Sequence, residues 1–212
     1  MSRCSNLIRS AACAATLFAT TTGAMAALND VGVHQGNVLV RLRGLSIQPN
    51  IGRSDAMSAL DVNVNNSIVP ELDFTYMIRD SIGVELILAT SRHNLTSNSG
   101  NLGSVDVLPP TLLLQYHFNH QGKVRPYVGG GVNYTYFYKN DLQVGGVPVQ
   151  VKRSSVGPAL QIGIDIDIAK NVFFNADLKK IWMRTSVSQG GTALGSLKID
   201  PVVLGIGIGV KF

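Results

Sequence analysis

The chain has 212 residues, of which 45% are hydrophobic and 15% charged, and its formal net charge is +5. This length fits one domain or at most two. The composition is too apolar for a disordered protein and too weakly basic to suggest a nucleic-acid-binding protein.

The amino-terminal segment has the three parts of a secretory signal peptide in order. Arg3 and Arg9 form a positively charged start, residues 10–20 form a short apolar stretch, and an Ala-Met-Ala cleavage site ends at Ala26. We predict cleavage after Ala26, which makes residues 1–26 a signal peptide and leaves residues 27–212 as a single domain.

Two alternatives exist for this segment: a helix that is retained in the mature fold, and a lipid anchor on Cys13. Cys13 lies inside the apolar stretch, and Ser10 stands where a lipoprotein signal carries a large aliphatic residue. Cleavage would remove Cys4 and Cys13, the two cysteines of the chain, so the mature protein would have no disulfide. No later segment is apolar enough for a transmembrane helix, and an exported chain of this kind is either soluble or a membrane barrel.

Eight later segments alternate apolar residues with small, polar or charged ones, which is the two-residue period of a β-strand. They are residues 38–48, 70–78, 82–89, 107–118, 125–138, 154–168, 172–184 and 202–212. Long polar loops are predicted at 49–69, 90–106, 139–152 and 185–197, and short turns at 79–81, 119–123 and 169–171. Long and short connections therefore alternate. This pattern predicts an all-β fold, an eight-stranded antiparallel transmembrane β-barrel with long extracellular loops and short periplasmic turns.

The last segment shows the pattern most clearly. Its even positions from Val202 to Phe212 are all apolar, whereas Gly205, Gly207 and Gly209 lie on the other face. Such a strand fits a wall with lipid outside and a crowded lumen inside. The alternatives are a buried strand of a soluble sandwich and a lipocalin, but a lipocalin would need a polar exterior.

Several stretches resemble the OmpW family of small outer-membrane barrels. The most specific are Leu-Pro-Pro-Thr at 108–111 and Arg-Pro-Tyr-Val-Gly at 125–129. The other matching stretches are 72–77 with 82–86, 115–118, 133–135, and Asp200-Pro201. The resemblance covers nearly the whole mature chain and implies a narrow apolar channel linked to passage of small hydrophobic molecules. Family members often carry aromatic residues where this chain has Val202 and Val210.

Short turns of such barrels face the periplasm, so the strand pattern also predicts near which end of the lumen each inward-facing residue lies. The predicted apolar channel lining, near the outer rim, is Leu45, Ile47, Ile87, Leu113, Phe137, Ile181, Ile199 and Val203. The predicted charge plug, deeper in the lumen, is Arg41, Arg43, Asp73, Glu85, Asp165, Asp167, Asp177, Lys179 and Lys211. Unpaired buried charges are costly, so we expect the basic groups to pair with the acids.

An apolar funnel above a charged plug predicts a narrow channel for small hydrophobic molecules, with release sideways into the membrane. The alternative is a filled structural or adhesive barrel without transport, because an eight-stranded barrel has just enough interior for its side chains. We expect the partners to be outer-membrane lipid, small hydrophobic solutes, and the outer-membrane assembly machinery, which would bind the last strand ending in Phe212. We expect the protein in the Gram-negative outer membrane and predict no nucleic-acid partner.

Sites for catalysis, cofactors or metals are not predicted. His117 and His120 are the only histidines whose spacing approaches that of metal ligands, and the spacing is more often incidental. An enzyme would need a nucleophile and a base near the outer rim, and His93 with Ser91 or Ser97 is the only such set. The aromatic residues Tyr134, Tyr136, Tyr138 and Trp182 are predicted to lie in the outer membrane-interface girdle.

Overall fold

A computed structural model describes residues 31–48, 52–53, 63–64, 67–97, 100–144, 147–189 and 192–212. The predicted signal peptide, residues 1–26, and its cleavage site lie outside these residues. In the described ranges, no helix is long and apolar enough to cross a membrane.

Within the described ranges, sixteen strands follow one another along the chain. The first eight are β1 (Val38–Gln48), β2 (Gly52–Arg53), β3 (Asn63–Val64), β4 (Ser67–Arg79), β5 (Ile82–Ala89), β6 (Ser91–Ser97), β7 (Gly100–Leu108) and β8 (Thr111–His117). The others are β9 (Val124–Asn140), β10 (Gln143–Val144), β11 (Val147–Val151), β12 (Ser154–Ala169), β13 (Val172–Ile181), β14 (Arg184–Gln189), β15 (Thr192–Lys198) and β16 (Val202–Lys211).

Eight of these strands close into an antiparallel barrel. Their order around the wall is β12, β13, β16, β1, β4, β5, β8 and β9, and β9 pairs with β12 to complete the circle. The first and last strands are neighbours, with Leu39 opposite Lys211 and Gln48 opposite Val202. The predicted fold class, an eight-stranded antiparallel β-barrel, is confirmed.

The two faces of the wall differ as the strand pattern predicts. On β16, Leu204, Ile206 and Ile208 are exposed on the outside. The inner face of the barrel is crowded, because a side chain at Gly163 or Gly209 would overlap an aromatic ring of the lumen. An apolar exterior and a lumen filled by side chains are the features expected of a small barrel in lipid.

The short turns lie at one end of the barrel, and two of them contain an asparagine in the left-handed conformation. Asn119 has φ 49° and Asn171 has φ 58°. Asparagine tolerates this conformation better than most residues, which suits it to tight turns. We call this the short-turn end and the opposite one the long-hairpin end.

The prediction of long polar loops was wrong in part, because three of those regions form β-hairpins. Strand β6 pairs with β7, β10 with β11, and β14 with β15. Polar composition does not prevent pairing when a hairpin extends a pair of barrel strands, since those strands already hold the two arms of the hairpin side by side.

Two predicted strands are interrupted. The segment 107–118 breaks at Pro109 and Pro110, between β7 and β8, and the segment 172–184 breaks at residues 182–183, between β13 and β14. Proline has no backbone N–H to donate to a ladder, which accounts for part of the first break.

Candidate functional site

Arg43 lies at the centre of a layer of buried charges that crosses the barrel. From β1, its Nε lies 2.7 Å from Glu71 Oε1, and its Nη2 lies 2.7 Å from Asp73 Oδ2. Glu85 Oε1 lies 3.1 Å from Nη2, and Asp177 Oδ2 lies 2.8 Å from Nη1. One guanidinium therefore joins acids from β4, β5 and β13, and the side chain is fully buried.

Arg41, two residues earlier on the same face of β1, joins the far wall to the same layer. Its Nη2 lies 2.9 Å from Asp165 Oδ2 on β12, and its Nη1 lies 3.0 Å from Asp73 Oδ1. The guanidinium carbon also lies 5.4 Å from the ring centre of Tyr127 and 5.5 Å from that of Phe173. These are distances at which a cation is attracted to an aromatic face.

Lys179 is the third cation of the layer. Its Nζ lies 2.6 Å from Glu71 Oε1 and 3.1 Å from Asp177 Oδ2. We call this set the charged layer, and it comprises Arg41, Arg43, Glu71, Asp73, Glu85, Asp165, Asp177 and Lys179. It occupies the cross-section of the barrel with charges that are paired at short distances, which is how buried charges are tolerated.

A chain of hydrogen bonds through uncharged side chains continues from Asp177 of the charged layer. Asp177 Oδ2 accepts from Gln161 Nε2 at 2.7 Å, and Gln161 Oε1 accepts from Gln115 Nε2 at 2.9 Å. Gln115 Oε1 lies 3.1 Å from His117 Nε2. Because an amide oxygen only accepts, Nε2 of His117 carries the hydrogen, and the ring stacks on Tyr127.

Seven of the nine residues predicted for the plug lie in the charged layer, and the other two lie elsewhere. Asp167 Oδ1 lies 2.6 Å from Arg125 Nη2 and is partly exposed, while Lys211 Nζ donates to the backbone oxygen of Gly32 at 2.6 Å. Asp167 precedes the short turn after β12 by only two residues, so it lies too near the end of the barrel to reach the layer.

Sequence reasoning missed two charged residues inside the barrel, Glu71 and Arg125. Glu71 shares its face of the strand with Asp73, so the same alternation would have found it. Arg125 lies at the start of β9, where the strand pattern begins and its inward face is harder to assign.

The charges were predicted to fill the inner half of the lumen, but the charged layer does not extend to the short-turn end. An apolar group of Val33, Leu39, Met77 and Phe173 lies there, and all four are fully buried. Val33 comes from the segment before β1, and its backbone N–H donates to the oxygen of His120 at 2.7 Å. The chain that precedes the first strand thus contributes a side chain to the barrel interior.

On the other side of the charged layer, toward the long-hairpin end, lies a larger group that we call the apolar cluster. Its buried members are Ile87, Leu95, Val105, Val107, Leu113, Phe137, Leu142, Val149, Ala159, Ile181 and Met183. Strands of the barrel and of the hairpin extensions both contribute to it. It provides an apolar surface inside the barrel next to a layer that is closed by ion pairs.

The residues predicted to line the channel are all at least half-buried. Ile87, Leu113, Phe137 and Ile181 belong to the apolar cluster, and Ile199 packs against it. Leu45 and Val203 are buried and Ile47 is half-buried on the neighbouring strands β1 and β16. Sequence reasoning missed Leu95, Val105, Leu142, Val149 and Met183, because their segments were interpreted as loops or as poorly alternating strand ends. It also missed Val107 and Ala159, which lie within predicted strands.

The wall beside the apolar cluster is interrupted at the two prolines. Strands β5 and β8 pair as far as Ile87 opposite Thr111, and β6 and β7 resume with Ser91 opposite Val107. The register is the same on both sides, so the interruption removes ladder bonds without a shift of the strands. It spans roughly 13 Å along the wall at the usual rise of a strand.

The predicted aromatic girdle lies at the level of this interruption. Tyr134 and Tyr136 are exposed on the outside of β9, and Trp182 is half-buried. The hydroxyl of Tyr138 lies 2.8 Å from that of Thr90, which follows β5. Aromatic side chains at this height are typical of the boundary between lipid and water.

Of the alternative sites considered from the sequence, the pair His117 and His120 is engaged in separate hydrogen bonds, with Gln115 and with the backbone oxygen of Val33 respectively. Within the described ranges, no group of three or more His, Cys, Asp or Glu is arranged to hold a metal ion. His93 and Ser97 belong to β6, but their side chains lie outside the described part of the structure.

Comparison with known proteins identifies relatives over most of the chain. The model of the OmpW family matches residues 34–212. The uncharacterized outer-membrane protein y4mB of Sinorhizobium fredii is 36% identical over 181 residues, which are 82% of this chain and 79% of y4mB. Outer membrane protein W of Salmonella typhi is 35% identical over 188 residues, 84% of this chain and 89% of that protein.

Two further comparisons concern structure and genetic context. The crystal structure of the outer membrane protein OprG from Pseudomonas aeruginosa is similar with a TM-score of 0.74 and 28% identity, covering 86% of this chain and 99% of that one. The dibenzothiophene metabolism operon protein PahQ of Pseudomonas aeruginosa is 30% identical over 161 residues, 72% of this chain and 74% of that protein.

Proposed function

The chain belongs to the OmpW family of outer-membrane β-barrels, and on that basis we propose that it forms a narrow path for small hydrophobic molecules. The solute enters at the long-hairpin end, contacts the apolar cluster, and leaves sideways into the membrane. The observation that carries this proposal is the position of the apolar cluster, between the charged layer below it and the interrupted wall beside it.

The charged layer argues against passage straight through the barrel. An apolar solute would have to separate Arg43 from its acids, and an unpaired charge in a buried site costs several kcal/mol. The solute has no polar group to replace the lost contacts. The route along the barrel axis is therefore closed to the class of molecule that the apolar cluster favours.

The interrupted wall supports a lateral exit. Inside it lie Ile87, Val107 and Phe137 of the apolar cluster, while Leu88 and Leu108 are exposed on the lipid side. A path between these residues would be lined mainly by apolar side chains, with the polar groups of Thr111 and Asn133 beside it. Burial of apolar surface favours transfer of the solute from water to the apolar cluster or to the membrane by about 25 cal/mol for each Å² removed from water.

The relatives support the same class of solute. PahQ is named for an operon of dibenzothiophene metabolism, and dibenzothiophene is a fused aromatic compound with little polar surface. We infer that the solute of the present protein is also small and apolar.

Accumulation of a radiolabelled apolar aromatic compound by whole cells tests the proposal, since their outer membrane retains its lipopolysaccharide barrier. Cells that express the wild type are compared with cells that express Phe137→Asp, which places a carboxylate in the apolar cluster. The conservative variant Phe137→Leu is the control. We expect Phe137→Asp to reduce accumulation to the level of cells without the protein, and Phe137→Leu to retain it.

The heat-dependent shift on a gel shows whether each protein is folded. Equal accumulation with folded wild type and folded Phe137→Asp would contradict the proposal.

A second candidate function is a filled structural barrel, and dense packing of the lumen favours it, since every buried member of the apolar cluster is at most 8% exposed. That function predicts no accumulation above background even with the wild type.

Export and assembly complete the proposal. We infer that the signal peptide is cleaved after Ala26 and that the outer-membrane assembly machinery binds strand β16. Phe212 is 71% exposed, so its ring is available to a partner at the end of that strand.

A further inference from the structure

The two prolines of the wall face opposite neighbours. The backbone N–H of His117 donates to the backbone oxygen of Ser81, just before β5. Backbone hydrogen-bonding groups alternate between the two neighbouring strands, so those of every second residue of β8, counted back from His117, point to β5. In the same register, Pro109 is directed to Ala89. Pro110 is directed to β9, where its carbonyl accepts from the N–H of Tyr134 at 2.9 Å. Pro109 alone therefore determines the interruption on the β5 side.

Lack of an N–H explains only half of that interruption. Pro109 cannot donate to Ala89, but its carbonyl could still accept from the N–H of Ala89 and hold the wall together. The structure shows no such bond between these two described residues. The Pro109 oxygen instead accepts from Thr111 Oγ1 at 3.1 Å and from Asn133 Nδ2 at 3.2 Å.

Asn133 on β9 is held in place by its own contacts. Its Nδ2 also donates to Thr111 Oγ1 at 2.8 Å, and its Oδ1 accepts from Thr135 Oγ1 at 2.6 Å. Asn133, Thr111 and Thr135 are all buried, and the Asn133 amide is occupied on both its nitrogen and its oxygen. The amide is thus engaged in the wall and does not offer a free group to a solute.

We propose that Asn133 is a positioning residue that keeps the lateral interruption open by holding the Pro109 carbonyl away from Ala89. The consequence of this inference, control of the exit by Asn133, rests on the proposed function. The structural part of the inference is independent, since it concerns one backbone carbonyl and one backbone N–H. Without the amide, the Pro109 carbonyl turns into the wall and accepts from Ala89.

Hydrogen exchange at the Ala89 amide, measured by NMR on the full-length mature protein refolded in lipid, tests the structural part. We expect slower exchange at Ala89 in Asn133→Ala than in wild type, because the amide gains a partner. Thr111→Val removes the other donor to Pro109 and should slow exchange in the same direction but less. Asn140→Ala, an asparagine on the same strand that bonds Val149 outside the interruption, is the matched control and should leave Ala89 unchanged.

Accumulation of the same apolar aromatic compound by cells tests the consequence. We expect accumulation to fall in Asn133→Ala and to stay at the wild-type level in Asn140→Ala. Unchanged exchange at Ala89 in both Asn133→Ala and Thr111→Val would overturn the inference, even if accumulation fell. Slower exchange with unchanged accumulation would overturn the role of Asn133 in the exit.

The two proposals fail in different ways. If the wild type itself accumulates nothing, the transport function fails, whereas exchange at Ala89 still decides whether Asn133 holds the wall open. If Asn133→Ala does not fold, Thr111→Val provides the same comparison with a smaller change.

Discussion

The charged layer and the apolar cluster occupy the same barrel, but different forces hold them. In the charged layer, Arg43 has four acids at 2.7 to 3.1 Å, so each partner fixes the position of the others. In the apolar cluster, contacts such as those of Leu113 and Phe137 have no preferred direction. Separation of the directed pairs would leave buried charges without partners, whereas displacement of apolar contacts leaves no polar group unsatisfied.

The two regions also differ in which parts of the chain build them. The charged layer comes entirely from strands that close the barrel, namely β1, β4, β5, β12 and β13. The apolar cluster adds residues of the hairpin extensions, such as Leu95 and Val149. The closed wall alone therefore positions the charges, whereas both the wall and the hairpin extensions supply the apolar surface.

Removal of one cation should break the charged layer and give the largest effect. Arg43→Met removes one ion-pair partner from each of Glu71, Asp73, Glu85 and Asp177. Loss of one member of a buried pair lowers the free energy of unfolding by about 3–5 kcal/mol. Urea unfolding of the refolded protein in lipid measures this change. Arg79→Met, which alters an exposed arginine at a short turn, is the control, and equal stability of the two variants would contradict the importance of the layer.

A cavity in the apolar cluster should sharpen the comparison with a smaller loss. Leu113→Ala removes a buried side chain and should cost about 2–5 kcal/mol of unfolding free energy, toward the lower end if the cluster repacks. Leu114→Ala, the next residue on the same strand, faces lipid and is the matched control. We expect Leu113→Ala to retain accumulation of the apolar solute, since the surface stays apolar. Loss of accumulation in Leu113→Ala would show that the apolar cluster does not repack after the change.

An ion pair outside both regions should matter least. Arg92 Nε lies 2.8 Å from Asp106 Oδ1; the arginine side chain is 59% exposed, whereas that of Asp106 is 12% exposed. Pairs of this kind contribute at most about 1 kcal/mol, because water screens them. Arg92→Gln should therefore change the urea midpoint only slightly. A loss as large as that of Arg43→Met would remove the distinction between buried and exposed pairs.

Much of this architecture follows from alternation alone. The inward positions of Arg41, Asp73 and Glu85 can be assigned because each has an apolar neighbour on the lipid side of its strand. Glu71 obeys the same rule and was predictable. The hairpins were not, since segments such as Ser91–Ser97 are polar apart from Leu95 and lack the alternation of the barrel strands.

The amino-acid sequence by itself determined the period of the strands, the turns, and which side chains face lipid, since these depend on neighbours in the chain. Tertiary structure decided which charges meet and where the wall opens. Asp165 reaches Arg41 across the lumen, and Asn133 reaches Pro109 from the adjacent strand. The contact of Asp165 with Arg41 joins residues 124 positions apart and arises only when closure of the barrel sets the strands in register. The contact of Asn133 with Pro109 depends on the pairing of the consecutive strands β8 and β9.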